Sequence, residues 1–434
     1  MNWTTLLILL NAVLAIGLQA FFPKLRHFII AAGAIIAIAL CTATGDSLEK
    51  FFSLLPLDVL AILLALQLFG EILVESRVFE NLSRFLATTS RAKGWLIIVS
   101  FCGITYCINC FMDNYQCLLL MVPPILGMLK QVKVSKRYMQ IILGLLIVTS
   151  NLGGASTPIG DFPALYMLSH GIINFKSYLT NATPLLLISF ISCVSIALLF
   201  YFFSPLKSTK EEEQTSVLLT EGLYRNIKID WSIFIPTVGI FIGMAIFWIK
   251  GFNPTKVSII GFLILGIVVR FGKLAEEKIR RTDASIFLYY LCLFVVIASI
   301  QQTGLLNQLA QYLLTYQDNK PLMLFLFVTS ATAVTGIVSA GPSTVALFPV
   351  VQAITPLFPA NMVITCFVLS ICAGSSLFLT SATAGPLMSR LTEQYDITAD
   401  NKKFVFTFRD YLLPGFIGAS VIYLVNVIYI FAKL

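Results

Sequence analysis

Charge is what this sequence has least of. Only 12% of its 434 residues are Asp, Glu, Lys or Arg, whereas 58% are hydrophobic, and a soluble domain carries roughly twice that share of charge. The composition therefore excludes an ordinary soluble domain and predicts an all-α polytopic membrane protein. The net charge of +8 is then loop charge that sets topology, and it does not indicate a nucleic-acid partner.

Several chemical signatures are also missing. The chain has two histidines and no nucleophile–base arrangement, so the sequence predicts no enzyme activity. Gly272-Lys273 lacks the upstream glycine spacing of a phosphate-binding loop, which argues against ATP-driven pumping. Cys107 and Cys110 lie one helical turn apart in an apolar run and are expected to be packing residues. Residues 1–22 have no basic n-region and are predicted to be the first span rather than a signal peptide.

Apolar runs of span length fill most of the chain. At about 20 apolar residues per span, the sequence predicts helices near 4–22, 27–44, 54–75, 180–203, 231–249, 254–270, 284–301 and 411–432. Amphipathic segments are predicted at 78–90 and 303–317. The polar stretch 204–230 is predicted to be a cytoplasmic linker, which divides the chain into a first half, 1–203, and a second half, 231–434.

Each half also contains two interrupted apolar runs. They are predicted to be a hairpin at about 95–129 and a broken helix at about 138–170 in the first half, and a hairpin at about 321–357 and a broken helix at about 361–388 in the second. Leu118–Pro123 (LLLMVP) matches Thr344–Pro349 (TVALFP), 226 positions later. This repetition is the sequence pattern of a transporter built from inverted repeats.

The distribution of Lys and Arg indicates how the two halves are oriented. If each hairpin is re-entrant, the basic groups fall on one side of the membrane, and the positive-inside rule makes that side the cytoplasm. The first hairpin then enters from the cytoplasm and the second from outside. The sequence therefore predicts two inverted-topology repeats whose hairpin tips meet the broken helices near the midplane, with the N-terminus and the C-terminus outside.

The stretch 150–161 (SNLGGASTPIGD) organises the first half. Its three glycines and its proline interrupt the helical hydrogen bonds, which is tolerated at membrane depth only where the freed groups are buried in protein or line a polar cavity. An intramembrane carboxylate costs about 2.5–3.5 kcal/mol on insertion scales, so Asp113 and Asp161 are candidate functional residues. The alternatives are a glycine kink, paired carboxylates, and asparagines that cap broken helices.

These residues predict a site for a cation or for protons, because hard oxygen ligands suit a small cation. Two carboxylates around one site can hold either one sodium ion or protons. The sodium candidates are Asp113, Asn151 and Asp161. The full predicted set is Asp113, Asn114, Ser150, Asn151, Gly153, Gly154, Thr157 and Asp161.

The second half is neutral at the corresponding positions, since Asp113 falls opposite Ser339 and Asp161 opposite Ser381. Helix N-termini with hydroxyls and free N–H groups suit a carboxylate or another oxyanion. Small residues that merely allow close helix packing are the alternative. The predicted substrate or second-ion site consists of Ser339, Gly341, Ser343, Thr344, Gly374, Ser375, Ser376, Thr380 and Ser381.

The stretch 150–161, the Asp113-Asn114 tip and the CAG…SATAG run at 372–385 resemble the ion transporter superfamily. That group includes arsenite-efflux, citrate and dicarboxylate carriers and NhaD-type sodium/proton antiporters. The resemblance implies a scaffold domain, a transport domain with two hairpins, and a homodimer. The chain departs from the antiporter relatives in carrying Ser339-Ala340 where they tend to have an Asp-Asn pair, which removes one carboxylate.

The sequence therefore predicts a secondary active transporter of the cytoplasmic (inner) membrane that works by alternating access. Its expected partners are the lipid bilayer and a small ion or small-molecule substrate, with a sodium ion in place of any organic cofactor. Sodium/proton antiport is the first hypothesis. The alternatives are sodium-coupled uptake of a small organic or inorganic anion (a dicarboxylate, a citrate-like acid or an oxyanion) and, in a different class, a channel.

Overall fold

The computed structural model describes residues 3–21, 25–43, 55–90, 93–130, 134–203, 228–268, 284–382, 384–400 and 402–434. Nearly all of these residues are helical or lie in short connections between helices. The predicted linker 204–230 lies outside the described residues apart from its last three positions, 228–230.

In the first half the helices follow one another with short connections. They are α1 (Trp3–Phe21), α2 (Arg26–Ala43), α3 (Leu57–Glu75), α4 (Val78–Ser90), α5 (Gly94–Asn109), α6 (Asn114–Leu129), α7 (Lys136–Ala155), α8 (Phe162–Ser169) and α9 (Phe175–Phe203).

The second half begins at Trp231 and contains the remaining helices. They are α10 (Trp231–Ile249), α11 (Pro254–Val268), α12 (Ala284–Gln302), α13 (Leu305–Leu314), α14 (Lys320–Val338), α15 (Ala340–Ile354) with a 3₁₀ turn at Thr355–Leu357, α16 (Ala360–Leu377), α17 (Gly385–Gln394) and α18 (Phe408–Lys433).

Eight of the helices among the described residues are long and apolar enough to cross a membrane, and a ninth is added if α12 and α13, bent by 58°, form one span. The predicted polytopic membrane protein is confirmed at this level. The predicted helix ends agree with the structure to within a few residues, except that α9 begins at Phe175 rather than near 180. The extra turn is stabilised where Asn174 Oδ1 accepts a hydrogen bond from the Ser177 backbone N–H at 2.7 Å, as a helix cap does.

The prediction of a purely helical chain misses one small β-ladder. Thr398–Ala399 (β1) pairs antiparallel with Lys402–Lys403 (β2), in the register Thr398 with Lys403 and Ala399 with Lys402. The turn contains Asp400 at φ 51°, a left-handed conformation that Asp tolerates better than most residues. Strands of two residues are too short to give an alternating pattern in the sequence.

The most buried long helices are α7 and α16. In the apolar, membrane-spanning stretch of each helix, 94% of α7 and 83% of α16 is buried inside the protein, against 22% of α10. α7 packs against α5, α9 and α18, while α16 packs against α14 and α18, and α7 and α16 also contact each other. The two helices that carry the predicted breaks therefore form the centre of the described structure.

A second group of helices packs beside this centre. α2 lies against α1 and α12, and α11 lies against α3 and α10. This group meets the central helices where α12 contacts α15 and where α3 contacts α8. Large apolar side chains such as Trp3, Phe203 and Ile267 are exposed on the outer helices, as expected for surfaces that face lipid.

Candidate functional site

The first backbone break lies between α7 and α8, at residues 156–161. Gly153 and Gly154 do not interrupt the helix as predicted, because α7 continues through them to Ala155. A Cβ on Gly153 would lie 2.5 Å from the backbone O of Tyr106, and one on Gly154 would lie 2.7 Å from Oδ1 of Asn114. The two glycines therefore let α7 approach the first hairpin closely.

A chain of three buried asparagines connects the first hairpin to α7. Asn109, the last residue of α5, donates from Nδ2 to Oδ1 of Asn114 and to the backbone O of Ser150. Asn114, the first residue of α6, donates from Nδ2 to Oδ1 of Asn151 at 3.2 Å. Buried amides need such partners, since an unpaired one costs several kcal/mol in hydrocarbon.

Asn151 extends this chain into the second half of the sequence. Its Nδ2 donates to the backbone O of Ser375 at 3.3 Å and to Oγ of Ser376 at 3.0 Å. The backbone O of Ser376 also accepts a hydrogen bond from the Tyr411 hydroxyl at 2.8 Å. The structure thus brings Asn114, Asn151 and Ser376, three predicted site residues from distant parts of the chain, into one hydrogen-bonded network.

The two candidate carboxylates lie at helix starts. Asp113 is the N-cap of α6 and accepts a hydrogen bond from the Tyr115 N–H at 2.8 Å. Asp161 is the N-cap of α8 and accepts one from the Phe162 N–H at 2.8 Å. Asp113 is exposed and Asp161 half-buried. Helix capping, one of the alternatives given above for the asparagines but not for these carboxylates, therefore accounts for part of their position.

Several of the oxygens predicted to bind a cation form hydrogen bonds within the protein. The Ser150 hydroxyl donates to Ile147 O at 2.9 Å, and Gly153 O accepts from the Ser156 N–H at 3.0 Å. Thr157 donates from Oγ1 to Cys110 O and accepts from the Gly160 N–H. The contact between Thr157 and Cys110 O holds the break against the hairpin tip, while the Ser150 hydroxyl, which donates its proton to Ile147 O, keeps its lone pairs available for a cation.

In the second half, three of the seven predicted hydroxyls bond to their own helix. Ser343 donates to Ser339 O and Thr344 to Ala340 O, both at 2.7 Å, and Ser375 donates to Cys372 O at 3.1 Å. This pattern is common for Ser and Thr within helices. Their hydroxyl protons are therefore not directed at a ligand in this structure.

Thr380 and Ser381 lie in the break that follows α16, whereas Ser339 and Gly341 lie at the start of α15. Ser381 Oγ lies within hydrogen-bond distance of the carbonyls of Gly374, Ser375 and Phe378 and accepts from the Phe378 N–H. Thr380 is exposed. Gly341 has open space around the position of a Cβ.

Sequence reasoning missed Asn109, which is fully buried and contacts both the hairpin tip and α7. Its Oδ1 has no hydrogen-bond partner among the described residues. Tyr106 and Tyr178 were also missed; their hydroxyls bond to Ser156 Oγ at 2.7 Å and to Ala155 O at 2.5 Å. The signal for Asn109 was an amide within an apolar run four residues before Asp113.

Comparison with known proteins places this arrangement in a family. The family model described as citrate transporter matches residues 7–374. The chain belongs to the citrate transporter family. Membership in this family, within the ion transporter superfamily that the sequence resembles, makes the chain a membrane transporter of a small substrate rather than an enzyme.

Relatives of this member of the citrate transporter family are distant. Magnetosome protein MamN of Magnetospirillum gryphiswaldense is 24% identical over 372 residues, which cover 83% of this chain and 82% of MamN. An uncharacterized transporter of Mycobacterium tuberculosis is 23% identical over 313 residues, or 70% of each chain. Sodium/proton antiporter 1 of Arabidopsis thaliana is 24% identical over 236 residues, which cover 52% of this chain but only 39% of that protein.

Proposed function

We propose that this chain is a secondary active transporter of the cytoplasmic membrane that exchanges sodium for protons by alternating access. The observation that carries the proposal is the Asn114–Asn151–Ser376 network, which joins the first hairpin tip, α7 and α16 next to two carboxylates. Half-helix ends and unwound backbone near the midplane are how many secondary transporters hold their ions. The relative from Arabidopsis thaliana that is named a sodium/proton antiporter supports the same reaction.

Under this proposal the chain consists of two inverted-topology repeats, each with a re-entrant hairpin and a discontinuous helix. The order of elements supports this division. Counting only described residues, 3–203 and 231–433 each contain three apolar helices, a short amphipathic helix, a pair of helices separated by at most four residues, a broken pair and a long last helix. The proposal also keeps the linker 204–230 in the cytoplasm, both termini outside and a homodimeric assembly.

In the proposed cycle, sodium binds beside Asp113, Asn151 and Asp161 and is replaced by protons on the two carboxylates. Carboxylate and amide oxygens are suitable ligands for a hard cation. Two carboxylates that share one site disfavour each other's ionised form, so loss of the cation favours protonation of one of them. Exchange of one cation species for the other at shared carboxylates is the minimal chemistry of an antiporter.

Sodium-coupled uptake of a small anion is the second candidate, and two observations favour it. The matching family is described as citrate transporter. In addition, α15 and α17 have no side-chain cap at their N-termini, in contrast to α6 and α8. Uncapped N–H groups at a helix start are a suitable place for an anion.

Reconstituted proteoliposomes distinguish the two reactions. We expect an outward sodium gradient to drive proton movement in the absence of any organic solute, with no response in empty liposomes. If protons or sodium move only after a dicarboxylate or another small anion is added, sodium/proton antiport is ruled out and anion uptake replaces it. Conductance that does not saturate with ion concentration would rule out both and indicate a channel.

A further inference from the structure

An apolar slot opens on the surface of the molecule between α7, α9 and α18. Its walls include Leu145, Cys193, Ala197 and Leu413. The slot exists because α7 and α18 pack closely beneath it: a Cβ on Gly144 would lie 2.4 Å from Pro414, and one on Gly418 would lie 2.7 Å from Val148.

The mouth of the slot is polar and carries a positive charge. Arg137 and Gln140, on the first turns of α7, line this end. The Arg137 guanidinium lies over the ring of Phe200 at 5.9 Å, which positions it above α9. Phe200 is itself a wall residue, so the charged and the apolar parts of the slot are continuous.

Arg137, unlike its neighbour Lys136, forms no ion pair with a carboxylate of the described residues. The nearby Asp410 is already engaged: Lys136 Nζ lies 3.2 Å from its Oδ1 and Gln140 Nε2 donates to it at 2.9 Å. The N–H and hydroxyl of Thr407 donate to the other oxygen of Asp410. The Arg137 guanidinium, which is exposed, therefore keeps donors that can bind an anionic oxygen.

The surroundings of the slot indicate that it opens to lipid. Leu199 on α9, and Leu413 and Phe416 on α18, are exposed, and in a multi-pass membrane transporter such surfaces contact acyl chains. Basic pockets between membrane helices bind anionic lipid headgroups. We propose that the slot is a binding site for an anionic phospholipid, with the phosphate on Arg137 and Gln140 and an acyl chain between α7, α9 and α18.

Native mass spectrometry of delipidated protein in detergent tests this site. The probes are phosphatidylglycerol and phosphatidylcholine with the same acyl chains. We expect wild-type protein to bind phosphatidylglycerol more tightly, and Arg137→Gln to weaken that binding about five-fold, which corresponds to about 1 kcal/mol for one basic residue near the membrane surface. Ala197→Phe, which fills the slot and keeps the charge, should weaken binding of both lipids.

Lys320→Gln is the matched control, because Lys320 also lies 5.9 Å from an aromatic ring, that of Phe358, but does not line the slot. It should bind phosphatidylglycerol as the wild type does. Equal loss in Lys320→Gln and Arg137→Gln would contradict the site, as would equal binding of the two lipids by wild-type protein. Inorganic phosphate should not compete; full competition would mean a simple anion site. A change of oligomeric mass in Ala197→Phe without a change in lipid binding would identify the slot as a subunit contact instead.

Discussion

The two central broken helices meet their hairpins through similar close contacts. A Cβ on Gly153 would lie 2.5 Å from the backbone O of Tyr106, and a Cβ on Gly374 would lie 2.5 Å from that of Thr332. Tyr106 and Thr332 are separated by the same spacing as the two hairpin tips. At this contact the backbones of the two regions are arranged alike, so the side chains around it are the first place to look for a difference in function.

The side chains of the first region form hydrogen bonds between helices where those of the second region do not. The first region joins hairpin and broken helix through three amides, while at matching positions the second has residues that form no such link; Thr335, for example, bonds back to Ala331 O at 2.8 Å. The matching pairs are Asn109 with Thr335, Asn114 with Ala340 and Asn151 with Cys372. Similar helix contacts thus hold a polar, acidic region in the first half, which we propose as the cation site, and a neutral region in the second.

The helix starts show the same contrast, with one change from the sequence alignment. Asp113 and Ser339 are both N-caps, as their predicted correspondence requires. Asp161 caps α8, whereas the residue that precedes α17 is Ala384, and Ser381 lies within the break. The spacing between the two broken helices is 221 residues at Gly153 and Gly374 but 223 at the helix starts, Asp161 and Ala384, so the fixed spacing of 220 that pairs Asp161 with Ser381 does not hold.

Removing the charge of the first region should have the largest effect on transport. Asp113→Asn and Asp161→Asn each take away a carboxylate but keep a side chain that caps a helix about equally well, so we expect ion-coupled transport to be abolished while the thermal unfolding midpoint changes little. Sodium-dependent transport by the variants in proteoliposomes is the measurement. Ser339→Ala and Ser381→Ala in the neutral region should retain sodium dependence, and wild-type behaviour of both Asp variants would contradict the proposed cation site.

The close glycine contacts give the next largest effect, this time on stability. Gly153→Ala and Gly374→Ala each place a methyl group against a backbone carbonyl that cannot move alone, and overpacking of this kind costs about 1–3 kcal/mol or more. Unfolding in detergent, followed by temperature, measures the loss. Gly341→Ala is the control, because a Cβ there meets nothing within 4 Å. If only one of the two buried glycines proves sensitive, the regions are not packed alike.

The amide network should be the next most sensitive feature. Asn151→Ala removes the acceptor of Asn114 and two bonds to the second half, and a buried polar group left unpaired costs about 1–3 kcal/mol. Its counterpart Cys372→Ala removes only a small apolar group and should cost about 1 kcal/mol. Unfolding midpoints and transport rates of both variants are the measurement. Equal losses would show that Asn151 acts by filling volume and not through its hydrogen bonds.

Composition and run length were enough to predict the helices and the positions of most breaks, because both follow from the cost of unpaired backbone in lipid. The candidate site was predicted less completely. The sequence marked Asn114, Asn151 and Ser376 as polar but not as partners, since contacts between distant residues leave no local pattern. It also assigned Gly153 and Gly154 to the break, because a glycine that interrupts a helix and one that allows close packing look the same in sequence.

The smallest expected effect concerns the backbone of the second hairpin tip. Ser339 has φ 84° and ψ 163°, a region that glycine alone occupies easily and that costs other residues about 1–3 kcal/mol, whereas Asp113 at the first tip has an ordinary φ of −61°. Ser339→Gly should therefore stabilise the protein by about 1 kcal/mol, seen as a higher unfolding midpoint, and Ser339→Ala should not. If Ser339→Ala stabilises equally, the gain comes from losing the hydroxyl, and the strain at this tip is not what separates it from the first.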